Sequence, residues 1–258
     1  MRLALTVEYE GTNYHGFQYQ ANAPTIQEEL EKAIARVTGR QTRVKGAGRT
    51  DAGVHALGQV VAFDTQSDHE PGVFVRALNY YLPEDIAVKA AHRVATGFDP
   101  RRWALSRTYQ YTILNSQVPS PLVRRTSRLV PQHLDVREMD QAASLLVGQH
   151  DFARFSGPLD DRSASTVRQV KEASVAREGE LVVFEVKANS FLPHQVRRMA
   201  GALLDVGKDR LKLDEFKQMI EGGGDDRIRA HSLPASGLCL MNVEYVGFPP
   251  QIGENDGN

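Results

Sequence analysis

Leu3, Leu5, Val7 and Tyr9 fall on every second position at the start of the chain, which predicts a strand. The period then changes. Ile26, Leu30, Ala33, Ile34 and Val37 follow at helical spacing, Thr25 and Glu28 frame their start as a capping box, and Gly39 ends the run. A short strand is predicted over 43–47 and another over 57–63. A helix over 73–82 stops at Pro83, and 86–94 again has the pattern of a strand. The resulting order, β-α-β-β-α-β, is that of a ferredoxin-like unit, an antiparallel sheet with its helices on one face.

The same order starts again after a shift in composition at Phe98-Asp99-Pro100-Arg101-Arg102. A strand is predicted over 107–114, with Tyr109, Tyr111 and Ile113 on one face. A helix over 136–147 opens on a second capping box, Asp135 and Glu138. A hairpin pairs 166–175 with 181–188 around Gly179. Helices over 194–206 and 214–220 and a last strand over 238–246 complete the set. The expected fold class is α+β: two ferredoxin-like halves sharing one extended, mainly antiparallel sheet, with helices on one face. Residues 1–104 and 105–247 are the expected subdomains, and 248–258 a polar, disordered tail.

Composition narrows the class. The single cysteine, Cys239, excludes a disulfide framework and a Cys-rich zinc site. No apolar run approaches the roughly 18 residues that a transmembrane helix needs. The first residues lack the apolar core of a signal peptide, so the cytoplasm is the expected location. The charge is balanced, 31 Lys+Arg against 32 Asp+Glu, and gives no global sign of nucleic acid. Its distribution is uneven. Of the basic residues 23 are Arg and 8 Lys, and between Gly97 and Val130 six Arg face one acid, Asp99. Arg101, Arg102, Trp103, Arg107, Tyr109, Tyr111, Arg124, Arg125 and Arg128 interleave cations with rings. That mixture suits single-stranded RNA, whose bases stack and whose phosphates meet guanidinium groups. For Tyr109, Tyr111 and Ile113 the core face of a strand explains the spacing equally well.

Two segments could carry chemistry. Gly46-Ala47-Gly48-Arg49-Thr50-Asp51-Ala52-Gly53-Val54-His55-Ala56 places Asp51 and Arg49 between two strands, at the tip of a glycine-rich turn. It is either an ordinary turn or a ledge that presents a carboxylate as nucleophile or general base, with a guanidinium nearby to favour the charged form. The second segment, Asn189 to Met199, puts Arg197 and Arg198 beside the apolar stripe of a helix that starts near Pro193. Either they are solvated surface residues or one is partly buried and needs a carboxylate partner. The histidines show no paired spacing, so no metal site is expected.

Gly48-Arg49-Thr50-Asp51-Ala52-Gly53-Val54-His55-Ala56 resembles the catalytic motif of the tRNA pseudouridine synthase A family. Other stretches agree in order: Tyr9-Glu10-Gly11-Thr12-Asn13-Tyr14-His15-Gly16-Phe17-Gln18, with Phe17 where Trp is usual; Asn79-Tyr80-Tyr81-Leu82-Pro83; Arg107-Thr108-Tyr109-Gln110-Tyr111; Phe191-Leu192-Pro193-His194-Gln195-Val196-Arg197; and Gly237-Leu238-Cys239-Leu240. Pro193, Gln195 and Arg198 depart from the family's usual His, Met and Asn. The resemblance implies a pseudouridine synthase fold and an isomerase that converts uridine to pseudouridine at positions 38–40 of the tRNA anticodon stem-loop. It implies no cofactor and no metal, tRNA as partner and a homodimer. By the same resemblance Asp51 is the nucleophile, Arg197 pairs with it, and Tyr109 stacks on the flipped uracil. Leu238 lines the apolar side of the pocket, and Arg49 helps displace the base or holds a phosphate. These roles require a direct salt bridge between Asp51 and Arg197. A non-catalytic RNA-binding module of two RRM-like halves is the alternative. It would leave the Asp51 segment without a purpose. A metal-dependent hydrolase built on Asp51 and scattered His is a third.

Overall fold

The strands form one sheet that runs through both halves of the chain. The computed structural model describes residues 1–159, 165–222 and 230–248. In chain order the elements are β1 (Arg2–Tyr9), α1 (Ile26–Thr38), β2 (Lys45–Gly46), β3 (His55–Asp64), α2 (Pro71–Tyr81), β4 (Ile86–Val94), β5 (Ser106–Leu114), β6 (Arg128–Leu129), α3 (Val136–Leu145), β7 (Gly148–Asp151), β8 (Val167–Glu178), β9 (Leu181–Ala188), α4 (Gln195–Gly207), α5 (Leu213–Ile220) and β10 (Leu238–Glu244). The sheet order is β4-β1-β3-β10-β5-β9-β8-β7, with β2 beside β3 and β6 beside β5.

That order contains the ferredoxin-like pattern twice. In the first half β4-β1-β3 is followed by β2 on the far edge of β3, and in the second β10-β5-β9-β8 repeats the arrangement. The two patterns meet where β3 and β10 run parallel, pairing His55 with Cys239 and Ala56 with Leu240. The predicted strand over 43–47 shortens to two residues, pairing only with Ala62 and Val61, because β10 takes the edge of β3 at His55 and Ala56. β7 was not predicted. Its sequence, Gly-Gln-His-Asp, has no apolar alternation, since it is an edge strand that pairs only with β8.

Local sequence sets the helix ends. The Thr25 hydroxyl accepts from the Glu28 amide, and Gly39 closes α1 at φ +71°, where a side chain would be strained. The Asp135 carboxylate accepts from the amides of Arg137 and Glu138 at the start of α3. On β5, Tyr109, Tyr111 and Ile113 are buried, while Thr108, Gln110 and Thr112 are half-exposed, so one face of the sheet carries the core there. Tyr111 is fully buried and its hydroxyl donates to Pro234 O (2.8 Å). It is a core residue and not part of an RNA surface. The predicted tail lies outside the described residues except for Phe248, which packs against Tyr245, Phe98 and His92. Among the described residues no helix is long and apolar enough to cross a membrane.

Arg107 also departs from its expected place in a basic surface. It is buried, and its guanidinium donates to the carbonyls of Ala47 (2.9 Å), Arg101 (2.6 Å), Asn189 (2.8 Å) and, more weakly, Ala104 (3.4 Å). One side chain thus ties the β2–β3 loop, the link between the halves and the segment leading to α4. Buried carbonyls left without a donor cost about 1–3 kcal/mol each. Replacing Arg107 with Met should therefore lower the unfolding free energy by about 2–4 kcal/mol in urea titrations. A change below about 0.5 kcal/mol, as for an ordinary surface substitution, would show that the clamp is not structural.

Candidate active site

The β2–β3 loop is rich in glycine, yet it is held at many points. Thr50 Oγ1 shares a hydrogen bond with the Tyr9 hydroxyl (2.8 Å), and its carbonyl accepts from the Phe17 amide (3.1 Å). Buried Gln59 donates to Gly48 O (3.0 Å). The Val54 amide donates to Asp51 O (3.1 Å), closing a turn whose third residue, Gly53, sits at φ +78°. A type II turn requires glycine at that place. The Gly53 amide in turn donates to Tyr14 O (3.2 Å). His55 Nδ1 accepts from the Gly11 amide (3.0 Å), so the ring proton is on Nε2, which donates to Arg125 O (2.7 Å). The segment from Tyr9 to Phe17 is therefore a cradle for the loop. Gly16 shows how close the fit is: it lies at φ +94°, and a Cβ there would come within 2.7 Å of Thr50 O.

Across from the loop, α4 presents Arg197. Its Nη1 donates to Asp51 Oδ2 at 3.0 Å, across 146 positions of sequence. Its Nε donates to Leu233 O (2.7 Å), and the Leu233 amide returns a bond to Arg197 O (3.2 Å). Both ends of the guanidinium are thus fixed, which a lysine could not reproduce. Arg198 turns elsewhere and donates to Ala230 O (3.1 Å).

The Asp51 end of the ion pair lines a cleft of about 440 Å³, together with Arg49, Arg101, Tyr109, Phe191, His194 and Leu238. That volume is in the range of small-ligand sites. All four predicted site residues besides Arg197, namely Asp51, Arg49, Tyr109 and Leu238, line this one cleft. Tyr109 is buried and meets the Phe191 ring edge to face (5.2 Å, 88°). Burial pushes its phenol well above the ordinary tyrosine range, so it offers a ring and no charge. The Tyr9 phenol, also buried, is pushed up to about 12 and serves as a fixed hydrogen-bonding group behind the loop. Among the described residues no cluster of three His, Cys, Asp or Glu could hold a metal ion.

Phe191, Gln195 and His194 also line the cleft; in the sequence they stood only as members of the Phe191–Arg197 segment, with no role assigned to them. Gln195 is buried; its Oε1 accepts from the Leu192 amide (2.7 Å) and so shapes the turn into α4, while its Nε2 has no partner among the described residues. His194 precedes α4 at φ +59°, the left-handed region that non-glycine residues avoid, and its Nε2 lies 3.8 Å from Asp51 Oδ2. No spacing rule reports a backbone angle, so this conformation had no signal in the sequence.

The comparisons with known proteins fit this geometry. A family model described as tRNA pseudouridine synthase matches residues 5–101 and 142–246. The chain belongs to the tRNA pseudouridine synthase family. Its relatives carry a narrower name. It is 42% identical over 241 residues, 93% of this chain and 98% of the relative, to tRNA pseudouridine synthase A of Acetivibrio thermocellus. It is 43% identical over 251 residues to the protein of that name from Myxococcus xanthus, covering 96% of this chain and 94% of the relative. The protein of that name from Pelobacter propionicus is 42% identical over 244 residues, 94% of this chain and 99% of its own.

The left-handed backbone of His194 gives a test. Strain there costs roughly 1–2 kcal/mol, part of which glycine's unfolded-state freedom offsets. His194→Gly should raise the unfolding free energy by about 0.5–1 kcal/mol. A loss of stability would mean that the ring's contacts outweigh the strain.

Proposed function

We propose that the chain isomerises uridine to pseudouridine in the anticodon stem-loop of tRNA, at positions 38–40, with Asp51 as nucleophile and without a cofactor. The observation that carries this is the Asp51–Arg197 ion pair (3.0 Å), whose carboxylate lines one cleft with Tyr109 and Leu238. Such an enzyme is an isomerase: the C1′–N1 bond breaks, C1′–C5 forms, C5 loses a proton and N1 gains one. Nothing is added or removed, so the protein must supply a group that drives the cleavage and a chamber that keeps the detached base.

The residues suit these needs. A base stacked in a helix exposes neither C5 nor C1′ to a side chain, so it must be flipped out, at a cost of a few kcal/mol. Stacking on an aromatic returns about 1–3 kcal/mol per base. Tyr109, neutral and braced by Phe191, is the platform. Leu238, on the strand next to that of Tyr109, keeps water from the freed uracil. Asp51, oriented by Arg197, attacks or relays at the sugar–base junction. Arg49, next to it on the loop, takes the place of the extruded base or holds the adjacent phosphate. The halves 1–104 and 105–247 act as two subdomains, each giving one wall of the cleft. A homodimer in the cytoplasm, with tRNA bound across both copies, completes the proposal.

Asp51→Asn keeps the shape and removes the charge. It should abolish pseudouridine formation on tRNA transcripts, read by chemical mapping, with tRNA affinity within about threefold of wild type. Product formed at the wild-type rate would sink the nucleophile. Equal loss of binding would favour a bare RNA-binding module. Mapping pseudouridine in tRNA from cells with and without the protein tests the reaction and the positions together. Unchanged residues 38–40 would contradict the assigned target.

A further inference from the structure

Trp103 has no part in the cleft, yet it stands beside it and is half exposed. It is the only tryptophan of the chain, 51% exposed, and meets the Phe98 ring edge to face (5.5 Å, 82°). Phe98 in turn packs on Tyr245 and Phe248, so the indole is braced from behind. Its backbone is fixed as firmly. Asp99 Oδ1 accepts from the amides of Arg101 (3.0 Å) and Arg102 (3.1 Å), and Asp99 O accepts from the Trp103 amide (3.0 Å). The Tyr245 hydroxyl donates to Pro100 O (2.7 Å), and Arg107 holds Arg101 O (2.6 Å). Arg101 lines the catalytic cleft. Trp103 is two residues further on, at most about 7 Å along the chain.

A large aromatic ring half in water, braced from behind on a rigid loop beside the cleft, offers a free stacking face. The neighbouring charges say which. Arg101 and Arg102 precede the indole directly in sequence. The one acid of the loop, Asp99, is engaged by two backbone amides and by Lys45 (3.7 Å). Two cations next to the indole in sequence, on a loop whose one acid is engaged, match a nucleotide: a base for the ring and phosphates for the guanidinium groups.

We propose that Trp103 is a second stacking platform, which holds an unpaired base next to the flipped uridine, with Arg101 and Arg102 on the phosphates between them. This rests on the functional proposal above and deepens it. The cleft selects the base that reacts; the Trp103 shelf sets how the strand enters. Because stacking is blind to base identity, the shelf fixes the path of the backbone and tolerates any base beside the target.

The single indole reports on itself. Titrating the full chain with a tRNA anticodon stem-loop transcript should quench its fluorescence saturably, and the quench should persist in Asp51→Asn. Trp103→Ala should raise KM about tenfold with kcat changed less than twofold, and Trp103→Phe, which keeps a stacking ring, should stay within about threefold of wild type. Unchanged emission when filter retention shows the RNA bound would overturn the proposal. So would wild-type KM in Trp103→Ala, or a change in oligomeric state by sedimentation with RNA affinity intact, which would assign the indole to contact between copies. If the wild-type chain makes no pseudouridine, the functional proposal fails, while the quench still reads the shelf by itself.

Discussion

The contact between Asp51 and Arg197 is the constraint on which the site depends. It joins a loop of the first half to a helix of the second, and both partners are only partly exposed, 33% and 16% of their side chains. In such a setting the pair adds little to stability, because desolvation offsets much of the attraction. Its use is orientation. Arg197 is fixed at the other end by Leu233 O, so the guanidinium cannot follow the carboxylate, and the carboxylate must come to it. The same oxygen also lies 3.8 Å from His194, which confines Asp51 further.

Orientation of that kind needs a rigid support. Glycines free the β2–β3 loop to turn sharply, and its neighbours then remove the freedom. Tyr9 and Gln59 reach it from β1 and β3, Phe17 and Tyr14 from the preceding segment, and Arg107 from β5. Arg107 matters doubly, since it also binds Asn189 O on the way to α4. The two segments that carry Asp51 and Arg197 thus share a buried fastener, distinct from the ion pair itself. A site built this way keeps its geometry when empty, and binding need not spend energy on assembling it.

Much of this was legible in the chain. Alternation at Leu3 to Tyr9, the capping residues Thr25 and Asp135, and the stop at Gly39 are local effects, and local effects survive folding. Repetition of one element order foretold the doubled strand pattern in the sheet. The ion pair was expected from the family resemblance of the two segments; the residues alone left Asp51 on an ordinary turn or a catalytic ledge, and Arg197 and Arg198 as surface cations or partly buried ones. What stayed hidden is non-local. Arg107 looks like a surface cation, and nothing near it in sequence shows that its acceptors lie on Ala47 and Asn189. Tyr111 and Tyr109 share a spacing, but their surroundings come from distant segments: Pro234 O accepts from the Tyr111 hydroxyl in the core, and Phe191 meets the Tyr109 ring at the cleft. The left-handed backbone of His194 and the polar edge strand β7 have no periodic signature at all.

The most direct test is the single-turnover rate of pseudouridine formation by Arg197→Gln, with protein in excess over a tRNA transcript. Without Arg197 the carboxylate loses its fixed orientation, and a misplacement of about 1 Å at a reacting group can cost about 10²-fold in rate. The pairing therefore predicts a rate at least about 30-fold below wild type, with tRNA Kd within about threefold. A rate close to wild type at full binding would show that Asp51 acts without Arg197, and would contradict the central role given to their contact.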